Sequence, residues 1–419
     1  MHRIFAALLA VSGCASIAQA QSTDLALAGP SFTLDQALEL AGASSPSLEV
    51  ASAGIRSADA ARTVAGLRPN PSIVTQTENV AGSGQYRDVR SAETTAGLEL
   101  PIELGGKRSA RIAVADARGQ RAAIAAAVTL ADLRLAVIQA YVEAVAAERR
   151  LATAREQSGL AAEGLRAARV RVRAGRASPI EEQRADVVRI NAEAAVERAI
   201  RTLEVARGNL ARRIGQPIGG MLDVAWFDRV AGYGPTQGID PGGTLAMAAA
   251  QADVATADAQ VRLARSQRVP DITLSASARR LAATNDTAAV FGVSIPFPVF
   301  NNGSAAVAQA RAERDQSDAQ GRVIALETAQ AIAAAEAEVA NAATTARTAS
   351  GPALVAAQES ARIARIGYRE GKFGQLDLLD AERTLSETRA AAIDALAAYH
   401  DAQARRDRLT TAAPDLTKD

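Results

Sequence analysis

Two carboxylates, Asp377 and Asp380, follow the glycine-bounded turn Gly371-Lys372-Phe373-Gly374. Three-residue spacing puts both on one face of a helix. Such a pair can attract cations, or it can simply complement the positive N-terminal end of that helix. On the residues alone both readings stand. Other chemistry is sparse. The histidines are His2 and His400, and Cys14 is the only cysteine, so no intrachain disulfide can form. Three methionines and no cysteine pair give no support for a metal centre, and a lone histidine on a helix is expected to be solvated. No phosphate loop or paired His/Cys site is present, so no catalytic residues and no cofactor are expected.

The elements that would position the acidic pair are helices, and they occur twice. A proline-interrupted segment, Arg68-Pro69-Asn70-Pro71-Ser72-Ile73, returns as Arg268-Val269-Pro270-Asp271-Ile272-Thr273. A second proline, Pro101 in one copy and Pro296 in the other, closes each strand pair, and a long alanine-rich helical run follows. A repeat of about 200 residues is a duplicated unit and not a solenoid. Between Lys107 and Ala174 no proline occurs, which predicts a helix of about 100 Å. Gly175 turns the chain, and Ser178 with Pro179 and Glu181 restarts it. Gly371 does the same in the second copy. Gly351-Pro352 predicts a break without a counterpart in the first half.

Strands are expected at about 72–80, 92–100, 271–280 and 287–295. Ile272, Leu274, Ala276 and Ala278 alternate with Asp271, Thr273, Ser275 and Ser277, giving one apolar and one polar face. Such strands fit a membrane barrel. Backbone polar groups in lipid must all be paired, so strands can span only as a closed barrel. Four strands cannot close, so several copies must join.

The N-terminus carries a charged start, an apolar run from Ile4 to Val11 and the small-x-small site Ala18-Gln19-Ala20, which predicts an export signal. Val11-Ser12-Gly13-Cys14 also resembles a lipobox, so Cys14 is a candidate lipidation site. After Gln21 no stretch is expected to reach the roughly 20 apolar residues of a spanning helix. The 47 basic and 46 acidic residues nearly balance, and no basic patch is interleaved with aromatics, which excludes a nucleic-acid partner.

The duplicated plan, the segment Leu98-Glu99-Leu100-Pro101-Ile102-Glu103-Leu104-Gly105-Gly106-Lys107-Arg108 and the turn Gly367-Tyr368-Arg369-Glu370-Gly371 resemble the TolC family, the outer-membrane factors of tripartite efflux pumps. Glu103 to Arg108 resembles the heavy-metal branch in particular. The resemblance implies a mainly α fold with a small β part: a homotrimer whose periplasmic α-barrel continues into a twelve-stranded transmembrane β-barrel. It implies a non-enzymatic exit duct in the outer membrane, working with a periplasmic adaptor and an inner-membrane RND transporter, with heavy-metal cations as cargo. Asp377 and Asp380 match the family's periplasmic gate. Tyr368 matches a tyrosine that ties the gate shut, but its usual basic partner is here Phe373, which leaves an apolar contact, Lys372 or Arg369. Gly175 and Gly371 match the adaptor-contact turns. The expected division is a signal peptide over 1–20, a first repeat over 21–214, a partly extended connector over 215–243, a second repeat over 244–410 and a tail over 411–419. The competing reading is a soluble periplasmic coiled-coil adaptor, which would share the long alanine-rich helices.

Overall fold

The computed structural model describes residues 31–231 and 240–415. The expected signal peptide with His2 and Cys14 lies outside the described residues, as do parts of the expected connector and tail. Helix α1 (Leu34–Ser44) opens on a capping box: the Thr33 hydroxyl accepts from the Gln36 N–H at 3.3 Å, and the Gln36 side chain accepts from the Thr33 N–H at 3.0 Å. Pro46 at the first helical position starts α2 (Pro46–Ala65). There follow β1 (Ser72–Glu78), β2 (Glu93–Ile102), α3 (Lys107–Arg173) and α4 (Pro179–Ile214). A one-turn helix α5 (Val224–Phe227) precedes α6 (Leu245–Ser266), β3 (Ile272–Leu281) and β4 (Asp286–Ser294). The chain ends with α7 (Ser304–Thr348), α8 (Leu354–Arg369) and α9 (Gln375–Thr410).

All four strands form one antiparallel sheet in the order β1-β2-β3-β4. The two hairpins are joined through β2 and β3, from Glu93 opposite Leu281 to Ile102 opposite Ile272. Between α7 and α8 the helix breaks as Pro352 predicts: Gly351 leaves helical geometry at φ −102°, ψ −108°. Helix α3 runs 67 residues without interruption, about 100 Å.

The sequence led us to expect no apolar stretch of spanning length, and this is corrected. Helix α3 contains an 18-residue window of mean hydropathy 1.6 with at most two charged residues. Alanine raises the index here without bulk. The run around Ala122 to Tyr141 also carries Asp132, which pairs with Arg408 of α9 at 2.5 Å.

Large side chains are concentrated at one level, where α1, α3, α4, α5, α7 and α9 meet. Tyr141, Leu210, Ile214, Leu222 and Phe227 are fully buried there. The Tyr141 hydroxyl donates to the Phe32 carbonyl at 2.8 Å and accepts from the Asp223 N–H at 3.1 Å. Burial pushes this phenol up to about 12. Elsewhere the helices are held by small clusters, such as Leu165 with Ala168 and Ala185. Small alanine side chains let neighbouring helices approach closely, so little bulk is needed away from this waist.

His400 belongs to the waist, which corrects the expectation of a solvated side chain. It is 4% exposed, stacks on Trp226 at 4.2 Å and hydrogen-bonds the Phe227 carbonyl at 2.9 Å. The segment expected to be a partly extended connector folds back here, because Phe32 bridges to Leu222 and α5 brings Trp226 onto the ring. Burial holds the His400 pKa below its ordinary value, against the Phe227 hydrogen bond. A base depressed on folding contributes stability that is intact above its unfolded pKa of about 6.5 and falls as pH drops below it. Thermal unfolding of detergent-solubilised protein should therefore show a midpoint falling between pH 7 and 5. His400→Gln should lower the midpoint at pH 7 and flatten that dependence.

Candidate functional site

The sheet divides its side chains by alternation. Ile73 on β1, Leu98, Leu100 and Ile102 on β2, and Leu274 on β3 share one exposed apolar face with Phe291 and Val293 on β4. Phe291 is 81% exposed, far from what an aromatic side chain in water-soluble packing shows. The opposite face is polar. Arg279 lies there between Glu93 at 3.0 Å and Glu78 at 3.5 Å, and it also donates to the Thr95 hydroxyl at 3.0 Å. Neither outer strand has a second neighbour, so the outward backbone edges of β1 and β4 are open.

The Glu103–Arg108 run is the junction between strand and long helix. Gly105 and Gly106 both take positive φ, at 70° and 71°, to reverse the chain. A Cβ on Gly105 would lie 2.6 Å from Val269 and 2.9 Å from the Ser266 carbonyl. Glu103 grips Arg111 through two hydrogen bonds, one of 3.0 Å. Lys107 reaches across to Asp271 at 2.7 Å, and the same carboxylate accepts from the Leu104 N–H at 3.0 Å. The Asp271 contacts tie the two halves of the chain together, while Glu103 and Arg111 brace the junction within the first half. These charges are consumed in structure.

At the far end of the helices the two turns are built alike. Gly175 (φ 69°) donates to Val172 at 3.0 Å, and Arg176 donates to Arg171 at 2.9 Å. Gly371 (φ 74°) donates to Tyr368 at 3.1 Å, and Lys372 donates to Gly367 at 2.8 Å. Both glycines are left-handed helix caps. Ser178 and Pro179 start α4 as expected, but the Ser178 side chain makes no capping bond; its carbonyl accepts from Glu181 instead, at 2.9 Å.

The cation on Tyr368 comes from the other hairpin. Arg171, in the last turn of α3, lies 4.4 Å from the centre of the Tyr368 ring and donates to the Tyr368 carbonyl at 3.2 Å. Burial raises the Tyr368 pKa, Arg171 opposes this, and the Glu181 carboxylate beside the phenol raises it further. Gln375, 8% exposed, donates to the Glu181 carbonyl at 2.8 Å. One residue from each of α3, α4, α8 and α9 thus meets at a single node. Arg171 Nε, Glu181 Oε2 and Gln375 Oε1 are buried there without partners. Phe373 packs on its own turn: its ring lies 2.1 Å from where a Cβ on Gly367 would be. Neither Lys372 nor Arg369 takes the place beside Tyr368. Glu181 was read only as part of the helix start after Ser178, and its meeting with Arg171 and Gln375 escaped sequence reading because long-range pairs leave no local spacing signal.

Asp377 and Asp380 are both exposed at the start of α9. The Asp377 carboxylate accepts from the Gly374 N–H at 2.9 Å, so it caps the helix, while Asp380 sits one turn further along the same face. Among the described residues no group of three or more His, Cys, Asp or Glu side chains could hold a metal ion.

The sequence pattern of the family described as outer membrane efflux protein matches residues 37–216 and 243–411, most of the chain. The chain belongs to that family. It is 33% identical over 391 residues to the cobalt-zinc-cadmium resistance protein CzcC of Cupriavidus metallidurans, covering 91% of this chain and 90% of that protein. The fold matches the outer membrane protein VceC of Vibrio cholerae with a TM-score of 0.73 at 18% identity, covering 91% of this chain and 96% of that one. It also matches CusC, whose structures concern folding and transmembrane channel formation, with a TM-score of 0.76 at 16% identity, covering 91% and 92%. This outer-membrane efflux channel therefore sits in the outer membrane and extends into the periplasm, in a family of passive channels. The soluble-adaptor reading gives way, since the family match spans both helical repeats.

Gly105→Ala should destabilise the channel by about 1–3 kcal/mol through overlap with Val269 and Ser266, added to the strain of positive φ. Gly84→Ala, at φ 64° but in open space, should cost clearly less. Thermal melts of the two variants in one detergent make the comparison.

Proposed function

We propose that this efflux channel works as a homotrimer, each copy giving four strands to a twelve-stranded barrel, and discharges heavy-metal cations to the exterior. The observation that carries the reading is the sheet itself: an apolar face exposed along four strands, with both edges unpaired. In lipid such edges must find partners, and too few strands are present to close alone. Copies related by a closed rotation satisfy both edges. The polar face carrying Arg279, Glu78 and Glu93 then lines the pore.

The metal cargo rests on likeness to CzcC over nearly the full length of both chains. The Glu103–Arg108 segment supplies no ligand for it, since its charges are engaged at the strand–helix junction. A duct needs no tight site; transit favours weak contacts. The periplasmic partners are an adaptor docking at the turns of Gly175 and Gly371 and an inner-membrane RND transporter. The expected division, repeats over 21–214 and 244–410 about a connector over 215–243, is the unit of this assembly.

Asp377 and Asp380 form the gate. Threefold repetition sets six carboxylates around the periplasmic opening, which favours cations and resists close approach of the helices. The node of Arg171, Glu181, Tyr368 and Gln375 holds the inner hairpin to the outer one, and Phe373 shapes the turn between them. Three orphaned polar atoms leave that node incompletely satisfied, which suits a closure that must reopen.

Deleting the gene should sensitise cells to zinc, cobalt or cadmium, and plasmid-borne channel should restore growth; unchanged tolerance to all three would remove the metal assignment. In planar bilayers Asp377→Ala with Asp380→Ala should raise baseline conductance and weaken block by multivalent cations. Arg171→Ala should raise open probability about tenfold, the equivalent of a cation–π contact near 1.4 kcal/mol. Arg171→Lys should be intermediate.

A further inference from the structure

The two halves of the chain meet along a seam between β2 and β3, and this seam contains the pattern for one between copies. The repeat relates the strands with definite shifts. Pro71 and Pro270 stand 199 residues apart, as do Ile73 on β1 and Ile272 on β3. Gly106 and Gly303, the left-handed caps of α3 and α7 at φ 71° and 74°, stand 197 apart and relate β2 to β4. The hairpins test these shifts independently. Ser72 opposite Glu99 in the first hairpin transfers to Asp271 opposite Pro296. The second hairpin has Thr273 opposite Ser294, which continues two residues outward to that same pair. A shift of 195, matching Pro101 to Pro296, fails this check by two residues.

We infer that β4 of one subunit pairs antiparallel with β1 of the next in the register of the internal seam, putting Ile295 opposite Thr77, Phe297 opposite Thr75 and Val299 opposite Ile73. The source pairs are Leu98 with Ala276, Leu100 with Leu274, and Ile102 with Ile272. The inference rests on the multi-copy barrel proposed above and adds to it which residues meet.

Three features favour this register. Faces agree without adjustment: Ile73, Thr75 and Thr77 lie opposite Leu98, Ala96 and Thr94 on the apolar face. Ile295, Phe297 and Val299 are 56%, 88% and 67% exposed and prolong the alternation of Phe291 and Val293. Strand β4 ends at Ser294, opposite Thr273, and beyond it come Pro296, Pro298 and a tight turn from the Val299 N–H to the Phe297 carbonyl at 2.9 Å, whereas β2, with β3 alongside, continues through Pro101 to Ile102. A second neighbour gives residues 295–299 something to pair with. Finally, residues beside the internal seam are covered where their counterparts are bare. Leu263 packs on Val114 and Ala117, and Ser266 is 8% exposed. Their equivalents Val64 and Leu67 are 65% and 60% exposed. The next copy's β4–α7 junction would cover them.

The test is cross-linking in membranes of cells producing the full chain. Thr77→Cys with Ile295→Cys forms the in-register pair; Thr77→Cys with Val293→Cys or with Phe297→Cys forms pairs shifted by two. Single-cysteine variants reveal any contribution from Cys14. Copper-phenanthroline oxidation, and separately a short bifunctional methanethiosulfonate, removes dependence on disulfide geometry. The expected result is a covalent trimer on non-reducing gels from the in-register pair, at least fivefold above either shifted pair. A dominant shifted pair, or a trimer by light scattering that links through none of the three, overturns the register and leaves the trimer standing. Protein that is monomeric by light scattering and links through no pair overturns the trimer as well.

Discussion

Unpaired backbone in lipid governs this molecule. Each exposed N–H or C=O in hydrocarbon costs several kcal/mol, more than any single side-chain contact described here. The strands therefore end where the polar turns begin, and their outer face is given over to Ile, Leu, Val and Phe. Everything below the sheet follows from having to anchor strands and yet reach far from them. Two tight reversals, at Gly105-Gly106 and at Gly303, pass the chain from strand into helix without a long linker. The ion pairs beside the first of them fix the direction in which α3 departs.

Long helices raise a second problem, because a rod of 67 residues has little of its own to bury. The chain answers with alanine along most of its length and with aromatic mass at one level. Tyr141, Trp226, Phe227, Tyr399 and His400 form that belt, and its hydrogen bonds reach the backbone of the neighbouring extended segments. Stability is thus concentrated midway, while both ends are held by sparse contacts. Those ends are the four-stranded sheet and the two glycine turns at Gly175 and Gly371.

Much of this was legible in the sequence, and the limits have physical reasons. Periodicity and proline located the helices and strands within a few residues, because alternation and helical spacing are local. The break at Gly351-Pro352 was legible for the same reason: proline lacks the N–H that the helix needs. His400 was misplaced because nothing near it in sequence reveals that Trp226, 174 positions earlier, stacks on it. The basic neighbour of Tyr368 was sought within its own turn, yet Arg171 supplies it from another helix. Alanine-rich α3 was passed over as a spanning stretch because its apolar residues are small, yet their number lifts its mean hydropathy although each buries little area.

The break at Gly351 has a mechanical consequence. A continuous helix carries bending load along its ladder of hydrogen bonds, and α3 offers no weak point along its length. The opposite rod is jointed, so its lower sixteen residues form a lever with α9, set off from the waist by a place where helical bonding has already lapsed. The duplicated halves therefore differ in stiffness, one acting as a post and the other as an arm.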